Sequence, residues 1–92
     1  MKKNYNNIAK KVIDLQVDAL KKVKNSLGKS FNQAIDLLSR CQSKVILCGV
    51  GKSGLIASKI AATLASVGTP SFNLSASEAS HGDLGMISKK DI

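Results

Sequence analysis

From Ile8 onward the apolar positions Ile8, Val12, Leu15, Ala19, Val23 and Leu27 advance by four, three, four, four and four residues, which places them on one stripe of an α-helix. Lys10, Lys11, Asp14, Asp18, Lys21 and Lys22 fill the remaining arc. Asp18 precedes Lys22 by four residues, the orientation that supports a helical ion pair, so most of this charge reads as a solvated face. Gly28 is expected to stop this helix. Ser30-x-x-Gln33 has the spacing of a capping box that starts a second helix, with Phe31, Ile35 and Leu38 on one face and an end near Cys41.

After a polar joint at Gln42, Ser43 and Lys44 the pattern changes. Val45 to Cys48 is a β-branched and aliphatic run without alternation, which predicts a central parallel strand covered on both faces. Gly49 to Gly54 is a tight loop, and Leu55 to Ser66 is a helix with Ile56, Ile60 and Leu64 at helical spacing, ended by Gly68, Thr69 and Pro70. Ser71 to Leu74 reads as a second strand, and Ser75 to Ser80 as a small-residue segment that turns into a helix at Ser77. Helix, helix, strand, helix, strand is the opening of an α/β layered domain. Two parallel strands leave two unpaired edges. Residues 87–92 read as a polar connection into another strand beginning at Ile92, so the chain is expected to be the amino-terminal part of one larger domain. In that reading residues 1–43 are a helical lead-in and residues 44–92 the start of the parallel sheet.

Composition narrows the partners. The 92 residues suit one small domain, and the longest unbroken aliphatic run, Val45 to Cys48, is far short of a membrane-spanning helix. Lys2 and Lys3 are followed by Asn4, Asn6, Asn7, Lys10 and Lys11 rather than by an apolar signal-peptide core, so the expected compartment is the cytoplasm. Cys41 and Cys48 stand seven apart without a C-x-x-C pair or a His cluster, which points to two buried thiols rather than a disulfide framework or a metal site. The net charge of +8 is concentrated in residues 1–44, which hold ten basic and three acidic residues. The cations are almost all Lys, and Tyr5, Phe31 and Phe72 are the only aromatics, a poor supply for stacking on bases. Neither a nucleic acid nor a membrane is the expected partner.

Two segments carry candidate chemistry. Gly49-Val50-Gly51-Lys52-Ser53-Gly54 follows a buried strand and opens a helix, where backbone N–H groups and the positive helix end gather to hold an anion. The pattern satisfies G-x-G-x-x-G, but Leu74 and Ser75 occupy the place where dinucleotide binding wants an acidic residue, with Glu78 a little further on. Gly51-Lys52-Ser53 matches the end of the nucleotide P-loop, yet that motif's first glycine would fall at Ile46. A small phosphorylated metabolite fits the loop, and a turn that merely packs helix on sheet is the plain alternative. The second segment, Ser75 to Gly85, leaves the second strand on the same sheet edge, so the two should converge. They bring together Lys52, several hydroxyls, the single histidine His81, and the carboxylates Glu78 and Asp83, enough for general acid and base chemistry near neutral pH. A lone His beside Gly82 is also a common exposed or capping residue.

Gly49 to Gly54, Lys59 to Pro70, and Glu78-Ala79-Ser80-His81-Gly82-Asp83-Leu84-Gly85 together resemble the amino-terminal part of the D-arabinose-5-phosphate isomerases, a family of sugar isomerase (SIS) domain proteins. The resemblance implies a three-layer αβα flavodoxin-like domain with a parallel sheet, tetrameric when complete. It implies interconversion of D-ribulose 5-phosphate and D-arabinose 5-phosphate, whose product feeds the Kdo sugar of lipopolysaccharide, or capsules, in Gram-negative bacteria. Aldose to ketose exchange moves a proton between C1 and C2 through an enediol and stabilises the developing oxyanion, tasks that demand neither a metal nor an organic cofactor. The family's active-site lysine and histidine map onto Lys52, assigned to polarising substrate oxygens, and His81, assigned to proton handling or ring opening. Gly51, Ser53, Gly54, Ser77 and Glu78 become substrate neighbours. Family members continue with a Ser-rich phosphate loop, further acidic and histidine residues and usually a CBS pair. None of these falls within the 92 residues, so little isomerase activity is expected of this chain alone. The alternative is a non-catalytic sugar-phosphate-binding module. Transcription regulators with such domains carry an upstream helix-turn-helix, but residues 1–43 read as one long and one short helix without that compact arrangement.

Overall fold

The computed structural model describes residue 2, residues 4–80, with the backbone alone at 78, and residues 82–92. The elements are α1 (Tyr5–Ser26), α2 (Lys29–Ser39), β1 (Val45–Gly49), α3 (Lys52–Ser66), β2 (Ser71–Ser75), α4 (Ala76–Ala79) and a 3-10 turn over Asp83–Met86. They fall into two compact units, Met1–Gln33 and Ala34–Ile92.

In the first unit α1 starts at Tyr5 because Asn4 caps it, its Oδ1 accepting the Asn7 N–H at 3.1 Å. The stripe residues Ile8, Val12, Leu15, Val23 and Leu27 are all exposed. The helix ends as Leu27 turns to extended backbone (φ −67°, ψ 129°), and Gly28 is not left-handed, so the expected glycine stop is replaced by a break at Leu27. The capping box expected at Ser30 is not the start of α2. The Gly28 carbonyl accepts the N–H groups of Phe31 and Asn32 at 3.1 and 3.3 Å, which places Ser30 inside the first turn. At the other end of α2, the Cys41 N–H still reaches the Leu38 carbonyl at 3.3 Å, close to the expected end. Asp18 and Lys22 form no ion pair; the pairs among the described residues are Asp36–Arg40 and Lys44–Asp91.

The second unit is built on a parallel pair with Val45 opposite Ser71, Leu47 opposite Asn73 and Gly49 opposite Ser75. Residues opposite one another share a face, so Val45, Leu47, Gly49, Ser71, Asn73 and Ser75 look one way. The connecting helix α3 covers that face, with Asn73 Nδ2 donating to Ser58 Oγ at 3.3 Å. Ala57 and Ala61 of α3 are buried against this face with Val45, and Leu74 is buried on the other; these four are the buried apolar residues. Small alanines let the helix lie close to the strands. The opposite face carries Ile46, Cys48, Phe72 and Leu74, and Cys48 there is exposed. The expectations of a strand covered on both faces and of two buried thiols are therefore corrected: Cys48 points away from α3, and Cys41 is half-buried.

α3 ends as expected. The Thr69 N–H bonds the Leu64 carbonyl at 2.9 Å and the left-handed Gly68 bonds the Ala65 carbonyl at 3.2 Å, which is the Schellman pattern. Its start differs, lying at Lys52 rather than Leu55. β2 runs one residue further than expected, to Ser75, and α4 begins at Ala76 rather than Ser77.

Ile92 occupies the other edge of β1. Its N–H bonds the Lys44 carbonyl at 3.0 Å and its carbonyl accepts the Ile46 N–H at 2.7 Å, the two bonds of a parallel bridge across Val45. The Asp91 carboxylate fastens this arrangement. It accepts the backbone N–H groups of Lys44 (3.1 Å) and Ser88 (2.6 Å) and pairs with the Lys44 ammonium at 2.9 Å, its side chain only 1% exposed. The Ser43 hydroxyl, the Ser88 N–H, and the Lys44 ammonium and N–H hold this carboxyl well below its ordinary value of 3.8, against the opposing pull of its enclosure. A carboxyl depressed in the folded state contributes stability that is complete above the unfolded value and is lost as pH falls toward the folded one. Backbone amide exchange at Ile46 and Ile92 is therefore expected to be slow at pH 7 relative to unstructured amides. The 88–92 segment should loosen progressively below about pH 4, and Asp91→Asn should show that loosening already at pH 7.

Candidate functional site

Parallel pairing sends both strands out at one sheet edge, and Gly49 and Ser75 are the opposed last residues. Gly49, Val50 and Gly51 on one side and Ser75, Ala76 and Ser77 on the other line a cleft of about 350 Å³. The two segments thus meet at their first residues, Gly49 to Gly51 and Ser75 to Ser77. Gly51 is the N-cap of α3 with φ 60° and ψ −126°, and as a glycine it offers no capping side chain. The first ladder bond runs from the Leu55 N–H to the Gly51 carbonyl at 3.2 Å, so the N–H groups of Lys52, Ser53 and Gly54 lie ahead of the ladder. Across the cleft, Ser75 Oγ and Ser77 Oγ stand 3.0 Å apart as a hydroxyl pair. N–H groups with no partner among the described residues, at the positive end of a long helix beside hydroxyls, make a place for an oxyanion-bearing, hydroxylated ligand.

The backbone angles of Gly51 belong to a region open almost only to glycine, whereas a Cβ there would meet nothing within 4 Å. Gly51→Ala is expected to cost about 1–3 kcal/mol through backbone strain alone, measurable as a lowered midpoint in urea unfolding with an unchanged slope.

Of the residues singled out from the sequence, Gly51 and Ser77 line the cleft. Lys52 and Ser53 form the first turn of α3 with exposed side chains, next to the lining rather than in it. Gly54 faces β1, its Cβ direction meeting the Gly49 carbonyl oxygen at 3.0 Å. Glu78 belongs to α4, and His81 lies outside the described residues. Gly49, Val50, Ser75 and Ala76 complete the lining; they belong to the two segments singled out but not to the residues assigned to the substrate. The signal that finds them is register: once the strands pair in parallel, their last residues and those that follow must border the same crevice.

The SIS domain model matches residues 37–92. The chain is 49% identical over 89 residues to an uncharacterized protein of Rickettsia prowazekii, RP505, and 48% identical over 89 residues to the probable arabinose 5-phosphate isomerase of Haemophilus influenzae. Each match covers 97% of this chain, which spans 28% and 26% of the length of those two relatives. Among solved structures, the E. coli CFT073 protein c3406, in complex with arabinose 5-phosphate, superposes with a TM-score of 0.77 at 43% identity, over 98% of this chain and 50% of that one. The parallel strand–helix–strand unit, the cleft at its carboxyl edge and these matches agree: the chain belongs to the SIS domain family.

Proposed function

We propose that this chain supplies the first wall of the active site of an aldose–ketose isomerase that interconverts D-arabinose 5-phosphate and D-ribulose 5-phosphate. The observation that carries the reading is the cleft itself, which lies between the Gly51 cap of α3 and the Ser75–Ser77 hydroxyl pair, in a chain 43% identical to a protein solved with arabinose 5-phosphate. In this reading Gly51, Ser53, Gly54, Ser77 and Glu78 surround the sugar phosphate. Lys52 places its ammonium against the oxygen that gains charge as the enediol forms, and His81 carries the proton or opens the ring. The chemistry calls for no metal or organic cofactor. The working protein is a homotetramer of the cytoplasm whose product enters Kdo synthesis. No helix among the described residues is long and apolar enough to cross a membrane.

A second reading, binding without catalysis, is favoured for the 92 residues by themselves. Among the described residues the cleft is lined by glycine, valine, alanine and serine, which bind an anion and hydroxyls but do not move a proton from carbon. Incubation of the 92-residue protein with D-arabinose 5-phosphate, followed by a ketose assay, is expected to show no turnover. Chain carrying the remainder of a relative's SIS domain should show it. Absence of isomerisation in the longer protein would leave the binding module as the correct reading.

A further inference from the structure

Where the end of β1 meets the start of α3, the contact is backbone against backbone. A Cβ built on Gly49 would lie 2.7 Å from the Ser53 carbonyl carbon, 2.8 Å from the Gly54 nitrogen and 2.9 Å from the Ser53 carbonyl oxygen. All three are main-chain atoms of the first turn of α3, so no rotamer change relieves the overlap. From the other side, a Cβ on Gly54 would lie 3.0 Å from the Gly49 carbonyl oxygen and 3.4 Å from its carbon. The end of β1 and the start of α3 therefore touch through two residues that have no side chains, and one of them, Gly49, itself lines the cleft.

We infer that Gly49 and Gly54 are positioning residues: their mutual contact fixes the first turn of α3 against β1, and with it the distance from the Gly51–Ser53 amides to the Ser75–Ser77 hydroxyls. This rests on the sugar-phosphate reading above only for its choice of ligand. A side chain at 49 pushes the helix start away from the strand end, while Ser75 and Ser77, on the neighbouring strand and α4, are held by the Gly49–Ser75 register. The two walls then no longer match one small oxyanion-bearing ligand. The effect is graded, because Gly49 overlaps three backbone atoms and Gly54 crowds one carbonyl group.

The test measures affinity for D-arabinose 5-phosphate, thermal midpoint and backbone amide shifts in Gly49→Ala and Gly54→Ala. Ala61→Gly, buried on α3 away from the cleft, is the comparison for destabilisation alone. Gly49→Ala is expected to weaken binding about tenfold or more and Gly54→Ala by less, with displaced amide signals at residues 50–53. Ala61→Gly lowers the midpoint and keeps the parent affinity. A folded Gly49→Ala protein with parent affinity and undisplaced amides overturns the inference. Should Gly49→Ala not fold, Gly54→Ala decides by the same two readouts. Should the parent protein bind no pentose phosphate, the sugar-phosphate reading fails by itself, and the amide shifts alone decide the positioning role.

Discussion

Replacing Lys52 by alanine in the proposed isomerase is expected to lower kcat by about 10²- to 10³-fold, and replacing His81 by alanine to lower it by about 10²- to 10⁴-fold, with smaller changes in KM. Lys52 is the first residue of α3, exposed and adjoining the cleft-lining Gly51, and the proposed role brings its ammonium to a ligand between the two walls. An ammonium so placed stabilises charge that appears only as the enediol forms, which is why kcat rather than KM should fall. His81 follows α4 in the segment that leaves β2, and it is the only side chain of the chain whose ordinary titration range brackets neutrality. Kinetics of the two variants in a ketose-forming assay check both roles. Parent turnover in either one removes that residue from the chemistry.

Leu74→Ala is expected to unfold the Ala34–Ile92 unit. The core of that unit rests on four buried apolar residues, Val45, Ala57, Ala61 and Leu74, and Leu74 is one of its two large members at 5% exposure. Truncating a buried leucine costs about 2–5 kcal/mol, whereas a unit of this size holds only about 3–5 kcal/mol in total. Circular dichroism at 25 °C should show loss of the strand and α3 signals, while Leu55→Ala, at a residue 72% exposed, should leave the spectrum and melting midpoint nearly unchanged. A folded Leu74→Ala protein with the parent midpoint would contradict this account of the core.

The parts of the fold legible in the sequence are those written in local pattern. The stripe from Ile8 to Leu27 gave α1, the β-branched run gave β1, and Gly68, Thr69 and Pro70 closed α3 where expected. The meeting of the two chemical segments followed from parallel topology alone, and the cleft lies there. What the sequence hid depends on tertiary partners or on one residue's backbone angles. α3 starts at Lys52 because Gly51 turns the chain with a positive φ, although the first large apolar residue of the helix is Leu55. Cys48 sits in an apolar run and is nonetheless exposed, because burial on its face is set by elements distant in sequence. The Asp91 fastening joins residues 47 apart, and no local rule announces it. In the sequence Gly49 and Gly54 read as members of an anion-binding loop, while their close approach to each other appears only once strand and helix are packed.

The measurement that tests the central claim most directly is a heteronuclear NMR titration of the protein with D-arabinose 5-phosphate, with glucose as the unphosphorylated comparison. A pentose phosphate seated in the cleft predicts saturable shifts at the amides of residues 50–53 and 75–77, little change along α1, and no response to glucose. Saturable shifts elsewhere, or none at these amides at millimolar sugar phosphate, would contradict it.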